Sequence, residues 1–263
     1  MKKRPKIALV LSGGGALGFA HVGVIDVLQK HNIPIDLIVG TSMGAIVGGA
    51  VACGKTCKEI ESIAENMRTN YLYDINLPIK GVFSGKGALK FLKKGIPDID
   101  MKDTKIPFIC NAVDLITCKE IVFKEGSIID NIRASMSVPG IFNPVEKDEM
   151  LLVDGGIINN MATNIAKNEG AKVIIAVDVI SKSILPKKID NAIQTVAQSM
   201  LIIQKELQKN QKKSHHILIQ PELGERKQTD YDGDICKEII ELGREATLSQ
   251  IDKIKELTNK YKK

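Results

Sequence analysis

The chain has 263 residues, of which 44% are hydrophobic and 4% aromatic, and it contains no tryptophan. This length and apolar content suffice for a substantial core in one domain. The formal net charge of +6 comes from dispersed lysines, and aromatic side chains on which bases could stack are scarce, so we predict no nucleic-acid partner.

The first predicted strand, Ile7–Leu11, is an apolar run of the kind that is buried in parallel sheets. A glycine-rich loop at residues 12–18 follows it and opens a helical pattern. Consecutive glycines at a helix N-terminus expose backbone N–H groups, which can bind an anion. We therefore predict that the amides of Gly13, Gly14 and Gly15 form an oxyanion-binding site.

The second predicted strand leads directly into Gly40-Thr41-Ser42-Met43-Gly44, a G-x-S-x-G pattern. Between a strand and a helix this pattern is typical of a nucleophile elbow, in which the glycines permit a strained turn. We predict that Ser42 is an acyl acceptor and that the amide of Met43 assists the oxyanion site. Residues 37–53 are uncharged, but their glycines and this turn favour a buried strand and helix over a short membrane span.

A capping-box pattern at residues 56–59 predicts a helix that runs toward Asn70. The helical period then weakens over residues 71–105, which we name the cap segment and expect to form a mobile cover over the site. Between residues 79 and 105, seven lysines oppose three aspartates, a local charge of +4. We expect this region to contact anionic membranes peripherally and in a salt-dependent way. The apolar residues expected to face the lipid are Val82, Phe83, Leu89, Phe91 and Leu92.

Further strands are predicted at residues 106–113, 120–123 and 172–179, with a helix at 127–136. Another apolar strand ends in Asp154-Gly155-Gly156, which puts a carboxylate at the C-terminal end of a strand, where catalytic groups of open α/β sheets collect. This alternation predicts a mainly parallel sheet with helices on both faces. An amphipathic stretch at 190–213, a strand at 216–219 and a helix at 235–260 follow. We expect residues 5–180 to form the catalytic core and residues 181–263 to complete the same domain.

A serine hydroxyl needs a base to accept its proton. The chain has four histidines, and none has the expected position of a triad histidine. Asp154 is the better candidate, because burial in a lipid-filled cleft raises the basicity of a carboxylate whose reference pKa is about 3.9. The histidines are His21, His31, His215 and His216.

The glycine loop, the elbow and the aspartate, in this order, resemble the patatin-like phospholipase family, and the resemblance extends over residues 6–179. It implies a three-layer α/β/α sandwich and a Ser42–Asp154 dyad that cleaves carboxylic esters of phospholipids, lysophospholipids or related lipids without a cofactor. Leu17 departs from the basic residue that many members carry after the glycines. Further matching stretches lie at residues 20–24, 134–142 and 157–160.

Other interpretations remain open. The glycine loop also meets the first part of a dinucleotide fingerprint, but Asp36 precedes its strand instead of ending it. Transfer of the acyl group to an alcohol or thiol, and a non-catalytic lipid-binding regulator on the same scaffold, are the alternatives to hydrolysis.

The five cysteines form no C-x-x-C pair and predict reduced thiols in the cytoplasm, where peripheral contact with the inner membrane surface remains compatible with the charge pattern. The basic Lys2-Lys3-Arg4 precedes an apolar run that is too short for a secretion signal. No metal-ligand spacing is present. The sequence gives no prediction of oligomeric state.

Overall fold

The computed structural model describes residues 6–67, 83–184, 187–210 and 214–260. Its centre is an eight-stranded sheet with the order β5-β6-β3-β2-β1-β7-β8, and β4 pairs with β3 beside this path. The strands are β1 (Ile7–Leu11), β2 (Leu37–Gly40), β3 (Phe108–Asp114), β4 (Lys119–Phe123), β5 (Val145–Lys147), β6 (Met150–Asp154), β7 (Val173–Val177) and β8 (Ile217–Ile219).

The middle of the sheet is parallel, since β1 pairs with β2 and β7, β2 with β3, and β7 with β8. Its strands are apolar on both faces because helices cover both. In β1, Ile7, Leu9 and Leu11 join the larger hydrophobic cluster, whereas Ala8 and Val10 join the cluster on the opposite face. The predicted mainly parallel sheet between helical layers is confirmed.

The larger cluster lies under α1, α2 and α8, with α1 packed along α8, and the smaller cluster lies under α6. The helices are α1 (Ala20–Lys30), α2 (Met43–Ala52), α3 (Cys57–Glu65), α4 (Lys86–Gly95), α5 (Ile128–Ser135), α6 (Thr163–Asn168), α7 (Ala192–Asn210), α8 (Gly233–Leu248) and α9 (Ile251–Lys260).

The C-terminal segment differs from the prediction in one respect, because the single helix expected at 235–260 is divided into α8 and α9. The hydroxyls of Thr247 and Ser249 donate to the backbone carbonyls of Gly243 and Ala246, and such local bonds compete with a regular helix. The Gln250 side chain then donates to Leu218 O of β8, which ties the break to the sheet.

One edge of the sheet is antiparallel, since β6 pairs in opposite directions with both β3 and β5. Asp154 is the last residue of β6, so the predicted place at the C-terminal end of a strand is confirmed, although this strand runs antiparallel to β3. The strand register brings Asp154 to the edge of the sheet at which β2 ends. Gly40, the last residue of β2, pairs with Cys110 of β3, and Ala112, two residues further along β3, pairs with Asp154.

The described part of the cap segment, residues 83–105, contains α4 and a short 3₁₀ turn at Met101–Asp103; residues 71–82 lie outside the described residues. Phe83 and Leu92, predicted to face lipid, are buried, and Leu89 and Phe91 pack partly against the core. The apolar residues of α4 therefore face the core, because packing against other apolar side chains removes them from water.

Candidate active site

Ser42 lies at a sharp turn between β2 and α2. Its backbone has φ 54° and ψ −121°, a conformation that residues other than glycine rarely adopt and that costs about 1–3 kcal/mol. The turn packs directly on β1: a Cβ on Gly44 would lie 2.2 Å from Leu11 O, so only glycine permits this approach. The Ser42 amide donates to Ser135 Oγ at 3.0 Å, which holds the strained turn in place.

Asp154 is buried, and its carboxyl lies close enough to the Ser42 side chain for the two to interact. Its backbone N–H donates to Ser137 O at 2.9 Å, and its Oδ1 accepts from the Gly156 amide at 2.7 Å, so the carboxylate is fixed in direction. Burial raises the pKa of Asp154 to about 6, while the bonds from Ser42 and Gly156 act in the opposite direction. The carboxylate is ionised at neutral pH and is a better base than an exposed aspartate.

The glycine loop passes beside this pair. Gly15 has φ 55°, and a Cβ on it would lie 2.4 Å from Gln228 O, so the loop needs glycine there. The Gly13 amide donates to Asn160 O at 3.2 Å. Gly13 is therefore not available as an oxyanion donor in this conformation, contrary to the prediction. Among the described residues, the amides of Gly14, Gly15 and Met43 meet no hydrogen-bond acceptor.

A buried polar network behind the elbow was not assigned a role from the sequence. Thr41 Oγ1 donates to Asn111 Oδ1 at 2.7 Å, and Asn111 Nδ2 donates to Glu120 Oε1 at 2.9 Å and to Asn159 O at 3.1 Å. These bonds join the elbow to β3, β4 and the turn after Asp154. The signal that could have revealed it is Asn111 itself, a polar residue in the middle of an otherwise apolar strand.

The histidines serve other contacts. His21 Nε2 donates to Ser12 O at 2.8 Å, and burial lowers the pKa of His21 to about 4, so the ring is neutral and supports the glycine loop. His216 Nδ1 accepts from the Ile174 amide at 3.1 Å. His31 caps the end of α1. Leu17, where the family resemblance leads us to expect a basic residue, is fully buried in the core.

A small apolar cleft of about 40 Å³ is lined in part by Met43, the residue after Ser42. One wall comes from α2 and another from α4, through Phe91 and Leu92. Its lining is apolar, the chemistry that suits a hydrocarbon chain, and Met43 places it next to the elbow. The other lining residues are Phe19, Ile46, Val47, Ala50, Ile60, Ile63, Gly95 and Ile96.

The described residues contain no group of three or more His, Cys, Asp and Glu side chains that could hold a metal ion. None of the described helices combines the length and apolar character needed to cross a bilayer. All five cysteines carry free thiols.

Comparisons with known proteins identify the family of the chain. Residues 9–167 match the family model described as patatin-like phospholipase. Patatin-like phospholipase domain-containing protein 7 of Rattus norvegicus is 38% identical over 184 residues, which cover 67% of this chain and 14% of that protein. Lysophospholipase NTE1 of Candida albicans is 34% identical over 179 residues, covering 66% of this chain and 13% of that protein. The match thus spans about one seventh of these relatives.

A solved structure extends the likeness in fold. VipD from Legionella pneumophila superposes with a TM-score of 0.57 at 14% sequence identity, and the match covers 95% of this chain and 67% of that one. At this identity the likeness concerns the fold alone, and it includes the C-terminal elements beyond the family match. With more than half of its residues matched by the family model, the chain belongs to the patatin-like phospholipase family.

Proposed function

We propose that the protein is a serine acyl hydrolase that cleaves carboxylic ester bonds of phospholipids, lysophospholipids or related lipid esters. The observation that carries this proposal is the pairing of Ser42, on its strained turn, with a buried Asp154, whose pKa burial raises to about 6. A serine next to a base whose pKa lies near the operating pH is an arrangement suited to acyl transfer. The names of the relatives support a lipid ester as the substrate.

In the proposed reaction, Ser42 Oγ attacks the ester carbonyl carbon while its proton passes to the Asp154 carboxylate. The amides of Gly14, Gly15 and Met43 stabilise the negative charge on the carbonyl oxygen, each worth about a hundredfold or more in rate. When the intermediate collapses, protonated Asp154 returns its proton to the departing alkoxide, and the acyl group stays on Ser42. Water then attacks the acyl carbon, with Asp154 as its base, and releases the carboxylic acid.

The apolar cleft would receive the acyl chain of the substrate. Met43 contributes both its side chain to the cleft and its amide to the proposed oxyanion site. A chain lying in the cleft would therefore bring its carboxyl end to Ser42. Among the described residues, the side chains that line the cleft carry no charge, so the cleft favours an acyl chain over a polar head group.

We further propose a cytoplasmic protein that contacts anionic membrane surfaces peripherally through α4. The outer side of this helix carries exposed lysines, whereas Phe91 and Leu92 face the cleft. The contact would be electrostatic, about 1 kcal/mol or less per lysine, because the apolar residues are turned inward. Elsewhere in the region Lys102 pairs with Glu125 at 2.5 Å. The lysines of α4 are Lys86, Lys90, Lys93 and Lys94.

The proposed activity is tested by intact-mass labelling with a fluorophosphonate, followed by a panel of phospholipid, lysophospholipid and short-chain ester substrates. We expect one label per chain on Ser42, none on Ser42→Ala, and release of free fatty acid. Labelling with transfer of the acyl group to an added alcohol or thiol would make the protein an acyltransferase instead. Binding of lipid without labelling or turnover would identify a non-catalytic regulator and refute the proposal.

A further inference from the structure

Asn160 is buried next to the proposed oxyanion site and contacts Gly13 through two different groups. Its backbone carbonyl accepts from the Gly13 amide at 3.2 Å, and its side-chain Nδ2 donates to the Gly13 carbonyl at 3.3 Å. Both polar backbone groups of Gly13 are thus held by one residue. Gln208 of α7 steadies the amide, since its Oε1 accepts from Asn160 Nδ2 at 3.5 Å.

The orientation of the Gly14 amide follows from this contact. In a planar trans peptide the carbonyl of one residue and the N–H of the next point in opposite directions. Fixing the Gly13 carbonyl therefore fixes the direction of the Gly14 N–H, one of the amides that meets no acceptor among the described residues. Without Asn160 Nδ2, this peptide, which joins two glycines, could rotate at little cost.

Stability alone does not explain an asparagine at this position. Its Oδ1 is fully buried and has no hydrogen-bond partner among the described residues, which costs free energy and offsets part of what the Nδ2 bonds contribute to folding. The same atom lies 2.5 Å from the position of a Cβ on Gly13, and Ser42 Cβ lies 3.1 Å from that position. The amide therefore lies against Gly13, with Ser42 beside the same glycine, although its Oδ1 has no partner among the described residues.

We propose that Asn160 is a positioning residue that aims the Gly14 N–H at the oxyanion through its hold on Gly13. This rests on the proposed function, since an oxyanion forms only if Ser42 attacks a carbonyl. Asn160 itself touches neither substrate nor the reacting atoms. Its contribution appears only when negative charge develops in the transition state, so its loss lowers kcat and leaves substrate binding nearly unchanged.

The test is Asn160→Leu, which keeps the size of the side chain and removes both amide atoms, with Asn160→Ala as a second variant. We expect kcat to fall about 100-fold and KM to change by less than about threefold. Affinity for a trifluoromethyl ketone, which binds Ser42 as a tetrahedral oxyanion, should fall by a similar factor. The pH midpoint of activity should stay near that of the wild type, because Asp154 is untouched, and Tm should change by less than about 4 °C.

The matched control is Asn131→Leu, which removes another buried asparagine. Its Nδ2 donates to Glu125 O at 2.9 Å and its Oδ1 accepts from Lys147 at 2.8 Å. Because both of its amide groups have partners, this change should lower Tm and leave kcat within about twofold of the wild type.

The outcomes separate the two proposals. If wild-type protein is neither labelled at Ser42 nor active on any ester, the proposed function fails. If it is labelled and active but Asn160→Leu keeps its kcat and its affinity for the ketone, only the role of Asn160 is refuted. Failure of both Asn160 variants to fold would also overturn that role, because it would make the residue a requirement of stability.

Discussion

Replacement of Asp154 by asparagine is expected to abolish activity and to make the protein more stable at alkaline pH. The pKa of Asp154 is raised from 3.8 to about 6 in the folded state because the carboxyl is buried. A raised pKa means that folding favours the protonated form. The contribution of Asp154 to the free energy of unfolding is therefore most favourable at low pH and is lost as pH rises through 6. Asparagine resembles the protonated form at every pH.

The magnitude follows from the shift. A difference of about 2 pKa units at about 1.4 kcal/mol per unit gives roughly 3 kcal/mol of extra stability for Asp154→Asn at pH 8. The advantage should fall below about 1 kcal/mol at pH 4, where the carboxyl is protonated in the folded state and roughly half protonated in the unfolded state. The bond from the Gly156 amide survives, because an asparagine Oδ1 accepts it equally well.

Urea unfolding at pH 8, 6 and 4, followed by circular dichroism, measures this difference directly. The control is Asp114→Asn, since hydrogen bonds from Thr117 and from the Leu151 amide lower the pKa of Asp114, and that variant should be destabilised at pH 8. An Asp154→Asn protein that is less stable than the wild type at pH 8, or whose advantage does not vary with pH, would refute the reasoning. So would retention of more than about one thousandth of the esterase activity.

Three further predictions concern catalysis and the membrane. Ser42→Ala should reduce ester hydrolysis by about three orders of magnitude or more with a nearly unchanged thermal transition, because only the nucleophile is lost; activity above that level contradicts the assignment. EDTA should leave activity intact, since nucleophile and base both come from the chain, and a loss restored by calcium in a micelle-free assay would contradict this. Co-sedimentation with anionic vesicles at low salt should fall in the triple variant Lys90→Gln, Lys93→Gln, Lys94→Gln. Wild-type binding that is equal at low and high salt, or equal on anionic and zwitterionic vesicles, would remove the role of α4.

The sequence by itself determined the features that depend on short-range geometry. The Ser42 turn follows from the glycines two residues before and after the serine, because a strained turn with a closely packed helix requires small residues at these two positions. The buried strands follow from uninterrupted apolar runs, since only a strand covered on both faces tolerates them. The capping box at Thr56 is equally local, and it forms as its residues predict.

Only the tertiary structure decided how distant segments meet. The direction of β6 depends on strand pairing that no local pattern specifies, so Asp154 reaches Ser42 through an antiparallel register. The raised pKa of Asp154 arises from burial by residues far away in the chain. The second hydrogen bond of Gly13, and with it the proposed role of Asn160, joins positions 147 residues apart. Likewise α4 turns its apolar side inward because apolar residues of α2 and α3 lie across the cleft from it. Its amphipathic sequence alone does not specify what that side faces.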